Sequence, residues 1–230
     1  MDRGEDICIV ACETLKPELE AVMRARGCDY PVLWVGSGKH IWPDKLRVSI
    51  QEMIDSVPPS CRTVLLAFGF CGNSMVGIRS ASCTLVLPRA ADCIPLFLGS
   101  LARRMEYGSE TYFFTEGYLH SETSFISECE ALMLRYGESR GRRIMKKMLA
   151  HYRNIAVVDT GAFDVPGLVD EIRPFASLVD IPVSTIPGNL RLLDGLLAGG
   201  WDEGEYLVAE PGRGICFDDS LNLGAAQGGA

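Results

Sequence analysis

The chain has 230 residues, a net charge of −8, and 47% hydrophobic and 23% charged residues. That length suffices for a substantial core in one large domain, and the acidic balance argues against non-specific nucleic-acid binding, which needs a basic footprint. No apolar run approaches the roughly 18 residues of a membrane span and no basic-then-apolar leader opens the sequence, so the expectation is a cytoplasmic protein.

Residues 7–11, ICIVA, are a continuous apolar run with the pattern of a buried strand. Thr14 is placed to cap the next helix, with Pro17 in its first turn, Leu19, Val22 and Met23 on its apolar face, and Gly27 at its end. Residues 31–35 read as a second strand that runs into a flexible loop, Gly36-Ser37-Gly38-Lys39-His40. An amphipathic helix spans 43–55, with Leu46, Ile50, Met53 and Ile54 inward. Strands follow at 64–68 and 85–87. A helix over 93–105 turns Leu96, Phe97, Leu98 and Leu101 inward and leaves Arg103-Arg104 at its exposed end. Residues 111–115 form a strand, and 124–136 and 140–152 form helices, the second with a basic face. The alternation resumes with strands at 155–158, 181–185 and 206–209 and helices at 166–177 and 188–197.

Strands and helices alternating through short loops predict an α/β fold, with mostly parallel sheet or sheets and helices on both faces. A single domain is expected over 1–223, with possible pseudo-equivalent, Rossmann-like halves at 1–117 and 154–223 joined by a helical region. Residues 224–230 are expected to be a flexible tail.

In a reducing compartment nine cysteines are free thiols, metal ligands or catalytic groups rather than a disulfide framework. Cys8, Cys83 and Cys129 read as small buried apolar residues. Cys12, Cys71 and Cys93 differ, because each follows a strand, and the carboxyl edge of an open α/β sheet is where ligands bind. Three thiolates meeting there suit an iron–sulfur cluster or zinc and leave one coordination position open. The alternative is three buried thiols without partners. His40 follows the second strand and is a candidate fourth ligand or general acid/base, or else a surface residue beside a helix. Arg89 and Asp92 flank Cys93. An arginine there lowers a thiol pKa and binds an anion, or the two form a structural ion pair. Gly72 and Asn73 lie in the turn that presents Cys71, where the backbone can approach a cofactor closely. GFCGNSMVG is neither a GxGxxG nor a Walker loop, so a nucleotide is not expected.

Four stretches together, ACE at Cys12, KHIWPDKLRVSIQEMID, GFCGNSMVGIR and LPRAADCIPLFLGS, resemble a family with a domain of unknown function, common in methanogens and other anaerobes. The likeness continues through ETYFFTEGYLH and NIAVVDTG. Its members are often encoded beside corrinoid-dependent methyltransferases. The resemblance implies cysteines matching Cys12, Cys71 and Cys93 and a histidine matching His40. It also implies HDC where this chain has Ala91-Asp92-Cys93. Three functions follow as expectations. The first is a [4Fe–4S] centre with an open iron in anaerobic methyl metabolism, with His40, Arg89 and Asp92 serving a small anionic substrate. The second is a zinc–thiolate methyltransferase. The third is an accessory protein that docks a corrinoid protein or methyltransferase.

Overall fold

A computed structural model describes residues 6–40 and 42–221, and its strands form two sheets flanked by helices. The tail expected at 224–230 lies outside the described residues. The first sheet has the order β2-β1-β3-β4-β8, and the second β5-β6-β7.

In the first sheet, β1 (Ile7–Cys12) leads through α1 (Lys16–Arg26) to β2 (Val32–Val35) on one side. The chain then crosses back through α2 (Pro43–Asp55) to β3 (Thr63–Ala67) on the other side of β1. β4 (Thr84–Pro88) continues the parallel sheet beside β3. Strand interiors such as Ile9-Val10-Ala11 and Val64-Leu65-Leu66 are buried, as a sheet covered on both faces requires. Crossovers in opposite directions place α1 and α2 on opposite faces.

The chain leaves this sheet through α3 (Ile94–Leu98) and α4 (Leu101–Glu106) and enters the second sheet at β5 (Thr111–Phe114). Three helices follow: α5 (Glu116–Leu119), α6 (Phe125–Tyr136) and α7 (Glu138–Met148). Then β6 (Asn154–Asp159), α8 (Val165–Val179) and β7 (Val183–Pro187) complete the sheet, all parallel. Finally α9 (Arg191–Ala198) packs on β3 and β4, and β8 (Tyr206–Ala209) pairs antiparallel with β4 before α10 (Phe217–Leu221).

Two local expectations are corrected. The helix expected over 93–105 is broken. Gly99 takes a left-handed φ of 84° and ends α3, and the Ser100 side chain accepts a hydrogen bond from the Arg103 N–H at 3.0 Å to start α4. Glycine after a helix and serine before one are stop and start signals, and here they win over the continuous apolar pattern. Thr14 does not cap α1 either, because its hydroxyl lies 3.0 Å from Cys12 Sγ.

The two sheets meet at close backbone contacts. Gly117 of α5 lies against the turn after β1, where a Cβ would come within 2.7 Å of the Thr14 carbonyl carbon. No helix among the described residues is long and apolar enough to cross a membrane.

Candidate functional site

A cavity of about 530 Å³ opens between the carboxyl edge of the first sheet and the side of the second. The volume falls within the range of small-molecule sites, ~300–1,000 Å³. The first sheet contributes His40, Cys71, Gly72, Asp92 and Cys93, and the second lobe contributes Tyr112, Thr115, Tyr118, Ser121 and Tyr152. β1 and β3 lead away from the point where strand order reverses, the usual ligand crevice of an open parallel sheet.

A thiol–imidazole pair and a dithiol pair sit at this edge, and they are separate. Cys12 is the last residue of β1, paired with Val35 of β2 and fully buried. Its Sγ lies 3.0 Å from His40 Nε2 as well as beside Thr14. A 3-10 turn, Ser37–Lys39, carries His40 back over the strand end, and Lys39 Nζ donates to Ser49 Oγ of α2 at 2.5 Å. Burial pulls the His40 pKa down, but the hydrogen bond and negative charge of Cys12 outweigh it, and the ring stands above the ordinary histidine value.

Cys71 and Cys93 form the second pair, Sγ to Sγ 4.0 Å. They follow β3 and β4 on loops held edge to edge: Phe70 N–H donates to Ala90 O at 2.8 Å, and Cys71 N–H to Ala91 O at 2.9 Å. Gly69 makes that approach possible, since a Cβ there would lie 2.6 Å from the Asp92 Cα and closer still to its carbonyl. Cys71, Gly72 and Asn73 all adopt left-handed φ, of 43°, 68° and 68°. For Cys71 this costs about 1–2 kcal/mol, which the paired loops must hold in place. The bond to Cys71 and then burial raise the Cys93 thiol well above the ordinary cysteine value.

This geometry overturns the expected metal centre. Cys12 faces His40 and Thr14 within the sheet, while Cys71 faces Cys93 on the loops beyond it. Among the described residues no group of three or more Cys, His, Asp or Glu side chains could hold a metal ion. The [4Fe–4S] cluster, the zinc alternative and the metal-based function that rested on them are therefore corrected. The physical reason is height along the strand. Cys12 ends its ladder, whereas Cys71 and Cys93 lie four and five residues past Ala67 and Pro88.

The remaining expected residues divide. Asp92 lines the cavity, and its Oδ1 accepts from the Ile94 N–H at 2.9 Å, which fixes the start of α3. Gly72 lines the cavity beside Pro43. The Asn73 carbonyl is taken up by the Arg47 guanidinium at 3.2 Å. Arg89 turns toward the loop before β8, where Nε donates to the Glu203 carbonyl at 2.8 Å.

The cationic side chain in the cavity wall is instead Arg104, stacked 4.6 Å from the Phe113 ring centroid and donating to the Gly108 carbonyl at 2.7 Å. Sequence reasoning placed it at an exposed helix end; the Gly99-Ser100 break is the signal that could have found it. The second lobe's hydroxyls were missed as well, although Thr115 directly follows β5 and obeys the same carboxyl-edge rule. Glu18 of α1 was also missed. It is fully buried beside the Thr160 hydroxyl, 3.2 Å away, and burial pushes its pKa up to about 7.

Residues 34–197 match a family described as "Protein of unknown function (DUF1638)". The chain belongs to this family. The match runs from the last residues of β2 into α9, and so includes His40, Cys71, Cys93 and the cavity's second wall. No curated protein and no solved structure matches the chain.

Proposed function

We propose that this DUF1638 chain is a thiol-dependent enzyme that acts on a small anionic molecule held between the two sheets. The observation that carries this reading is the Cys71–Cys93 contact of 4.0 Å on the wall of a cavity that also holds the His40 imidazole. The contact needs about 2 Å of closure to become a bond of roughly 2.05 Å.

The reaction that fits is dithiol–disulfide exchange. Cys71 is the attacking group, because the raised pKa keeps the Cys93 proton in place. The Cys71 proton passes to water, the thiolate attacks one sulfur of a small disulfide, the ligand's S–S bond breaks, and the departing sulfur takes a proton from water in the cavity. Cys93 then gives up its proton to water and attacks the Cys71 sulfur, which breaks the mixed disulfide. The second ligand thiolate leaves and takes a proton from water. The ligand disulfide gains two electrons and two protons, equal to those lost by the two thiols, and the protein becomes the Cys71–Cys93 disulfide. A cellular dithiol reduces it for the next turn.

Arg104 and His40 supply the positive charge that an anionic ligand needs. The setting implied by the family resemblance, anaerobic cells and neighbouring corrinoid-dependent methyltransferases, favours a dithiol kept reduced. We also read the described chain as one domain, because α9 and β8 bring it back from the second sheet to complete the first.

Treatment of the reduced protein with oxidised glutathione, followed by peptide mass mapping, tests the reaction. A single disulfide between Cys71 and Cys93 is expected, with Cys8, Cys61 and Cys83 remaining free. Glutathione retained on Cys71 without transfer to Cys93, or no modification of either, overturns the reading.

A further inference from the structure

The second lobe's wall of the cavity has its own chemistry. Thr115 is only 1% exposed and lines the cavity, yet its Oγ1 has no hydrogen-bond partner among the described residues. Leaving a buried hydroxyl unpaired costs about 1–3 kcal/mol. Ser121 Oγ, on the same wall, is likewise buried and without a partner. Native interiors rarely leave two such groups together unless something else meets them.

Tyr118 lies between them in sequence, its hydroxyl 2.5 Å from that of Tyr112. Burial raises both tyrosines. The bond they share adds to the rise of Tyr112 and offsets that of Tyr118, and either hydroxyl can be its donor. The chain from Thr115 to Ser121 is a helical turn, with Leu119 N–H bonded to Thr115 O and Ser121 N–H to Tyr118 O. It presents three hydroxyls to one cavity, opposite the thiols. Arg104 adds a fixed guanidinium, with one of its five N–H groups used on Gly108.

We propose that Thr115, Tyr118, Ser121 and Arg104 form a subsite for the carboxylate of the ligand, and that the rings of Tyr112, Phe113 and Tyr152 pack against its apolar body. Hydroxyl donors and one arginine match the single charge and two oxygens of a carboxylate. A phosphate dianion calls for more cationic groups or a glycine-rich cradle, and the second lobe's wall, with Arg104 alone, has neither. The subsite deepens the enzymatic reading above: it rests on the same cavity and holds the ligand's anionic end on the second lobe, leaving its reacting atom toward Cys71.

Benzoate, benzyl alcohol and inorganic phosphate, each added at millimolar concentration and followed by ligand-observed NMR, test it with the full chain. Benzoate is expected to bind, and the other two not to compete with it. Thr115→Val keeps the shape and removes the hydroxyl, and on the order of a tenfold loss of benzoate affinity is expected. Ser121→Ala repeats the test should Thr115→Val fail to fold, and Arg104→Met should abolish binding. Benzyl alcohol binding as well as benzoate, phosphate displacing it, no benzoate binding, or unchanged affinity in the folded variants would each overturn the subsite. The glutathione experiment uses no carboxylate panel and no second-lobe variant, so failure of the thiol chemistry is read separately.

Discussion

The first sheet carries cysteines at both ends, and two sets of them have opposite fates. At the amino end, Cys8 is the second residue of β1 while Cys61 and Cys83 precede β3 and β4; all three are at most 2% exposed. Cys61 Sγ donates to the Thr63 carbonyl and Cys83 Sγ to the Cys61 carbonyl, both at 3.3 Å. Burial, and then the neighbouring Cys8 and Cys83 sulfurs, push the Cys61 thiol up to about 12. These are packed side chains that fill space. At the carboxyl end the same residue type meets an imidazole, a second thiol, left-handed backbone and a cavity. Residue identity is shared between the ends; what differs is where the loops lead. Turns before the strands close over the core, whereas loops after them splay around the point of strand-order reversal and leave room for a ligand.

The contrast breaks most sharply at Gly69. Replacing it with alanine sets a methyl group against the Asp92 backbone and drives the two loops apart. A loss of roughly 3 kcal/mol in urea unfolding is expected, together with loss of the Cys71–Cys93 disulfide under oxidation. An alanine variant that still closes that disulfide would show that the close approach does not position the thiols.

The helix that leaves the carboxyl end also carries a buried carboxyl group whose pKa burial raises to about 7. Glu18 keeps its proton to about pH 7 in the folded chain and releases it near its ordinary 4.5 when unfolded. The folded state therefore holds the extra proton between those limits, and stability falls as pH rises through that window, by about 3 kcal/mol. Glu18→Gln should flatten this fall and be the more stable protein at pH 8. Chemical denaturation at a series of pH values checks both, and parallel curves for the two proteins would remove Glu18 as the cause.

A smaller effect of opposite origin belongs to His40. Its folded pKa lies above the ordinary 6.5, so the stability it adds is fully present below that value and is lost as pH rises through the folded pKa. Cys12→Ala leaves burial alone acting on the ring, and the His40 pKa should drop below its ordinary value. NMR titration of the imidazole reads this directly. An unshifted ring in the variant would mean that Cys12 does not hold the imidazolium.

Much of the framework was legible in the chain. The helix Pro43–Asp55 and the strand Tyr206–Ala209 lie where periodicity and apolar runs place them, because burial of a stripe or an alternate face is a local property of sequence. His40, Cys71 and Cys93 could be assigned to a sheet edge for the same reason: each follows a strand at a turn, and parallel strands share one carboxyl end.

Which of those side chains face one another was decided elsewhere. Cys12 was legible as a thiol at a strand end. Its partner, His40, lies 28 residues away and reaches it only because a 3-10 turn folds back over β1. Arg104 enters the cavity because Gly99 and Ser100 redirect the helix, and Thr115 and Ser121 oppose the thiols because a second sheet docks through Gly117 on the turn after β1. The α/β class and most element positions were already written in the sequence, since these follow from local pattern, while the break at Gly99 and Ser100 was not read from it. Only the tertiary structure separated three thiols into a cysteine–histidine pair and a dithiol. That division depends on ångström-scale approaches between loops distant in the chain, which close packing decides and local pattern does not encode.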